Sequence, residues 1–150
     1  MKANESLLTL NSGLELFPTC LENSILLEGF KVFTKKNWSG ENVFFYCEVQ
    51  EYKKLIKSGA QEQAKEKKDL ILKEYIVAGS ALEVNLDDRV RKALLKEAEK
   101  GEITENLFQG SQHDILKLME ADSFEKWRGS EEFQTCLERA IREIQQQNLV

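Results

Sequence analysis

Between Glu41 and Lys57 the apolar residues Phe45, Val49, Tyr52 and Ile56 recur at i, i+4, i+7 and i+11, and Cys47 and Leu55 widen the stripe. That spacing predicts an amphipathic helix. From about Gln63 to Ala78, Ile71 and Tyr75 mark one face of a second helix, with Lys65, Lys67, Lys68 and Lys73 expected on its solvated side. Val90, Leu94 and Ala98 repeat at four-residue spacing between Asp88 and Lys100, and Ile115, Leu118 and Met119 mark another short helix. The last segment, Glu131 to Gln147, has the clearest pattern: Phe133, Cys136, Leu137, Ala140, Ile141 and Ile144 share a face, with Glu and Arg opposite. Sustained period-2 alternation is absent, as are Asn-Gly and Asp-Gly hairpin turns. The expected fold class is all-α, with about eight or nine helices.

The punctuation agrees. No proline follows Pro18, which permits long uninterrupted helices. Seven of the eight glycines fall between periodic segments, where they end helices; Gly29 alone sits inside one. The Glu/Lys-rich stretch 61–69 reads as a solvated helix start, and no internal repeat or domain boundary is evident. The expected organisation is a leader over 1–13 and a single domain over 14–150, ending in an extended helix at about 131–147.

At 150 residues the chain has room for one domain with its own core. Its 26 acidic and 21 basic residues give a net charge of −5, a poor basis for non-specific nucleic-acid binding, which depends on neutralising phosphates. Three scattered cysteines and the single His113 offer almost no ligands for a zinc site. No apolar stretch approaches the ~20 residues of a membrane span. The expectation is a cytoplasmic protein without cofactor or metal, monomeric by default, whose partners are proteins.

Parity of short-looped helices gives a functional lead. Helices joined by short loops usually run antiparallel, which should bring Ser39–Asn42, Glu83–Asp87 and Leu118–Lys126 to one end of a bundle. These segments are rich in Asn, Asp, Glu and Ser, a composition suited to a polar binding surface built from loops.

The same segments carry a family resemblance. Trp38-Ser39-Gly40-Glu41-Asn42-Val43-Phe44-Phe45-Tyr46 resembles the aromatic-Ser-x-Glu-Asn-aliphatic-x-Phe-Trp motif of the RGS domain family, the regulators of G-protein signalling. Glu83-Val84-Asn85-Leu86-Asp87, followed by Arg91, matches that family's Glu-Val-Asn-Leu-Asp segment. Phe108 with Gln112 resembles its Phe-Asp-x-Ala-Gln element, and Leu118-Met119-Glu120-x-Asp122-Ser123-Phe124 its Leu-Met-Glu-x-Asp-Ser-Tyr/Phe segment. Phe30 and Phe33 fit the preceding helix. The motifs occur in order over roughly residues 14 to 135.

The resemblance implies a nine-helix fold: an antiparallel four-helix bundle and a lobe formed by the N- and C-terminal helices. It also implies a GTPase activator of heterotrimeric G-protein alpha subunits (Gα), one that contributes no catalytic residue of its own. Gα already holds its arginine, water-orienting glutamine and Mg²⁺. A partner that binds the switch regions most tightly in their transition-state arrangement lowers the barrier by that difference. Membrane contact is then at most peripheral, through the partner at the inner face of the plasma membrane.

By this resemblance Glu41, Asn42, Glu83, Asn85, Leu118, Asp122, Ser123 and Lys126 contact Gα, while Ser39, Asp87 and Arg91 support the loops. Asn85 leads, because a short amide donates and accepts at once. Each residue also has a plainer reading. Asn85 or Asp87 caps the helix that follows, and Ser39 with Glu41 forms an ordinary helix start. Leu118 is a core residue beside Ile115, Asp122 and Ser123 cap a short helix, and Arg91 is a surface charge. The sequence departs from the family at Gly40, where glutamate is common, at Lys126, where arginine is common, and at Tyr46 in place of tryptophan. An RGS-homology scaffold that binds partners without accelerating hydrolysis is the rival reading. A catalytic enzyme is disfavoured, since no P-loop, Gly-x-Ser-x-Gly or His-Glu-x-x-His motif occurs.

Overall fold

The computed structural model describes residues 16–148; the leader expected over 1–13 lies outside the described residues. Among the described residues there are eight α-helices, one π-helical turn and no strand. The helices are α1 (Leu16–Glu22), α2 (Ser24–Lys36), α3 (Gly40–Lys57), α4 (Gln61–Ile71), α5 (Asp88–Ala98), α6 (Gln109–Ala121), α7 (Ser123–Arg128) and α8 (Glu131–Asn148), with the π-turn Leu72–Ile76 continuing α4. They form two compact units. One comprises the two ends of the described chain, up to Ser39 and from Glu120 onward; the other runs from Gly40 to Met119.

The terminal unit is held by aromatic packing. Phe17 lies 5.2 Å from Phe30 and 4.5 Å from Phe124, and Trp127 lies 5.2 Å from Phe30 and 4.8 Å from Phe133, between ring centroids. All five are buried, whereas Phe33 on α2 is only half-buried. Asn23 starts α2 by accepting hydrogen bonds from the Ile25 and Leu26 amides, satisfying two orphan donors of the first turn. The glycine inside α2 has a packing cause. A Cβ on Gly29 would stand 2.5 Å from the Cys136 Sγ on α8.

The central unit is the antiparallel bundle of α3, α4 with its π-turn, α5 and α6. Opposed pairs show the directions. The α3 residues Lys57, Tyr52 and Tyr46 meet Glu105, Thr104 and Gln112 in turn, so α6 runs back along α3. Glu48 pairs with Lys67 at 2.8 Å, and Phe45 packs on Tyr75 at 5.8 Å, so α4 also runs back toward the start of α3. Gln112 ties the centre together: its amide donates to Gln50 and the Tyr46 carbonyl, and its oxygen accepts from Lys53. Phe45, Tyr52 and Phe108 are fully buried around it.

Two expectations are corrected here. Lys68, expected on the solvated face of α4, is buried, and its Nζ donates to the Ala98 carbonyl at 3.2 Å. The last carbonyls of a helix lack internal partners and carry partial negative charge, so a lysine ammonium suits the end of α5. The second helix also does not continue to Ala78. It widens into the π-turn over Leu72–Ile76, closes with a bond from the Val77 amide to the Leu72 carbonyl, and leaves the helix at an extended Val77.

Candidate functional site

The turn from α4 into α5 is held by several hydrogen bonds. Beyond the π-turn, Gly79 adopts φ +83°, a left-handed conformation open to glycine at little cost, and its amide donates to Glu83 Oε1 at 2.8 Å. The Leu82 amide bonds the Glu74 carbonyl, and the Val84 amide bonds the Tyr75 carbonyl at 2.9 Å. The chain is then non-helical from Glu83 to Asp87, and burial alternates: Val84 and Leu86 point inward while Asn85 and Asp87 stand exposed. Successive side chains of an extended segment face opposite ways, so two apolar anchors present Asn85 outward between them.

Arg91, one turn into α5, braces this loop. Its Nε donates to the Ile76 carbonyl at 3.0 Å and its Nη2 donates to Glu83 Oε2 at 2.9 Å, with a longer contact of Nη2 to the Val84 carbonyl at 3.5 Å. One guanidinium thus holds both ends of the loop, a task for a fixed planar fork of donors. Asp87 caps α5 by accepting from the Arg89 amide at 2.9 Å. The Asn85 side chain makes no hydrogen bond among the described residues, so the capping role belongs to Asp87 alone.

Asn85 does not stand by itself. With Leu86 and Asp87 it lines an open pocket of about 330 Å³, whose other wall is Asp114, Lys117 and Leu118 of α6. Those three lie at i, i+3 and i+4 on one face, while Ile115 and Met119 on the adjoining face are buried. Leu118 is 42% exposed, which overturns its reading as a core residue. Asp114 and Lys117 were not singled out in the sequence; counting back one and four positions from Leu118 finds them.

At the start of α3, Glu41 occupies the first turn, where a carboxylate complements the helix dipole. Asn42 is half-buried, and its Oδ1 has no hydrogen-bond donor among the described residues.

Other residues singled out in the sequence lie in the terminal unit. Asp122 precedes α7 but makes no side-chain cap bond to it; its Oδ1 instead pairs with Lys126 Nζ at 3.0 Å. Both side chains are about two-thirds exposed, so the pair contributes little to stability. Ser123 is buried. At the end of α2 the Ser39 amide bonds the Thr34 carbonyl and the Trp38 amide bonds the Lys35 carbonyl, the two bonds of a Schellman helix stop. The Ser39 hydroxyl also donates to Thr34. Trp38 occupies the left-handed position of that stop, at φ +61°, and is 92% exposed. A bulky residue there is strained by roughly 1–2 kcal/mol.

Residues 16–136 match the family model described as "Regulator of G protein signaling domain". The chain belongs to the RGS family. Similar proteins bear the same description. Regulator of G-protein signaling 8 of Danio rerio is 34% identical over 123 residues, covering 82% of this chain and 68% of the relative. Regulator of G-protein signaling 5 of Sus scrofa is 35% identical over 114 residues, covering 76% and 60% respectively. Regulator of G-protein signaling loco of Drosophila melanogaster is 27% identical over 122 residues, which cover 81% of this chain but 8% of the relative.

Among the described residues no group of three or more His, Cys, Asp or Glu could hold a metal ion. Burial pushes the Cys20 thiol up to about 12 against a smaller opposing effect of Arg128, so it stays protonated and unreactive at neutral pH. No described helix is long and apolar enough to cross a membrane.

Proposed function

We propose that this RGS chain is a GTPase-activating protein for heterotrimeric G-protein alpha subunits and thereby terminates their signalling. The observation that carries the reading is Asn85: an exposed amide without a hydrogen-bond partner among the described residues, held between two buried anchors on a loop braced by Arg91. A preorganised donor and acceptor of this kind binds one arrangement of a partner better than others at little ordering cost. Asn85 and Leu118 bind the switch regions from their shared pocket, with Glu41 and Asn42 contributing from the start of α3. Glu83 acts mainly through the brace, since both its oxygens are engaged within the chain. In the terminal unit Asp122, held by Lys126 and next to the buried Ser123, is a further partner contact, and Trp38 adds an exposed aromatic surface. The chain works in the cytoplasm, meeting the membrane only through its partner.

Acceleration requires tighter binding to the transition-state arrangement than to the ground state, with about tenfold in rate for each 1.4 kcal/mol of difference. The test is affinity for Gα in three states: GDP alone, a non-hydrolysable GTP analogue, and GDP with aluminium fluoride as a transition-state mimic. The reading requires tightest binding to the mimic. Equal affinity for the GTP-analogue and mimic states points to the scaffold alternative.

A further inference from the structure

A second surface of the central unit is unoccupied by anything described so far. The end of α4, the π-turn and the C-terminal half of α5 enclose an open groove of about 480 Å³, lined by Asp69, Leu72, Lys73, Val77, Leu95, Ala98 and Glu99. Its floor is aliphatic, and none of its residues lines the Asn85 pocket. Of the six large apolar side chains exposed among the described residues, Leu70, Val77 and Leu82 all lie in the stretch that forms and continues one wall. Exposed apolar side chains scattered singly are ordinary; of these three, Val77 lines the groove itself. That wall includes the π-turn, an irregularity common at functional positions.

The charges identify the occupant. Some acids of the unit are paired inside the chain, Asp88 with Lys92, Glu97 with Lys100 and Glu48 with Lys67. Asp69 and Glu99, on opposite walls of the groove, are exposed and have no ion-pair partner among the described residues. Lys73 is the only cation among the lining residues, so the rim is net negative. We propose that the groove between α4 and α5 docks an amphipathic helix of a protein partner. The helix presents Leu- or Ile-type residues at i and i+3 or i+4 to the aliphatic floor, with flanking Lys or Arg meeting Asp69 and Glu99. A trough between two helices with an apolar floor fits helix-in-groove recognition, and the unpaired carboxylates set its preference for a basic partner. No residue lining this groove lines the Asn85 pocket, so the inference does not depend on the proposed function.

The test is selection of phage-displayed amphipathic helices, with apolar and charged positions randomised, on the folded 150-residue chain. Enriched sequences should combine the apolar spacing with flanking Lys or Arg. Synthetic peptides from the selection should lose about tenfold in affinity, or 1.4 kcal/mol, against Leu95→Glu. The same loss is expected against the double variant Asp69→Lys/Glu99→Lys, which changes only exposed positions and so keeps the test informative if Leu95→Glu fails to fold. Asn85→Ala should leave peptide binding unchanged. Enrichment of acidic or uncharged helices, absence of enrichment, or binding indifferent to the groove variants overturns the proposal. So does preferential binding of the groove to anionic phosphatidylserine vesicles.

Discussion

Arg91 on α5 and Glu83 on the preceding loop form an ion pair of 2.9 Å, and the same guanidinium bonds the Ile76 carbonyl at the loop's other end. The Arg91 side chain is only 14% exposed, so these bonds are shielded more than those of a surface pair. Arg91→Ala should cost about 1–3 kcal/mol of stability. Arg91→Lys, which keeps the charge but not the planar fork, should recover only part of it. Denaturant unfolding measures both, and hydrogen exchange at 83–87 should speed up in each variant. An unchanged exchange rate would show that the brace does not hold the loop.

The close approach of α2 and α8 makes Gly29 a packing residue. Gly29→Ala puts a methyl group where Cys136 Sγ lies and should destabilise by about 1–3 kcal/mol, despite the better helix propensity of alanine. Adding Cys136→Ala should restore part of the loss. Additive penalties in that double-mutant cycle would mean that the two sites do not interact.

Trp38 sets strain against binding. Trp38→Gly relieves roughly 1–2 kcal/mol of left-handed strain but adds about 0.5–1 kcal/mol of unfolded-state entropy. A net gain of about 0.5–1 kcal/mol is expected, together with weaker stimulation of Gα. Such a combination of stability gained and activity lost distinguishes a functional aromatic from a merely tolerated one.

Tyr75 gives an alkaline limit. Burial pushes its phenol up to about 12 from 10.0, helped by the negative charges of Glu48, Glu74 and Cys47. A phenol whose folded pKa lies above its unfolded value contributes fully below about pH 10, and the contribution is lost as pH rises toward 12. In Tyr75→Phe the stability of the protein should fall less steeply across that window, as read from urea midpoints at fixed pH.

Much of this was legible before the structure, for physical reasons that can be named. The apolar spacing of Phe45, Val49 and Tyr52 follows the 3.6-residue turn, and helix parity carries α3, α4 and α6 into the observed antiparallel order. The Glu83–Asp87 segment was legible as a motif, but its in-out alternation was not, because five residues are too few to stand out from helical patterning. Lys68 was misplaced because its burial depends on a carbonyl thirty residues away, at the end of α5. The π-turn left no mark either; it inserts no special residue. Gly29 stood out as a mid-helix glycine, but only the position of Cys136 explains it.

The most direct test of the central claim is single-turnover GTP hydrolysis by a panel of purified Gα subunits, with this chain, with Asn85→Ala, and without either. Asn85 is exposed and unbonded, so its variant should unfold within about 0.5 kcal/mol of the parent. The account predicts acceleration by the parent chain and loss of at least about tenfold of it in the equally stable variant. Failure of the folded parent to accelerate any Gα in the panel, or full activity of Asn85→Ala, would contradict it.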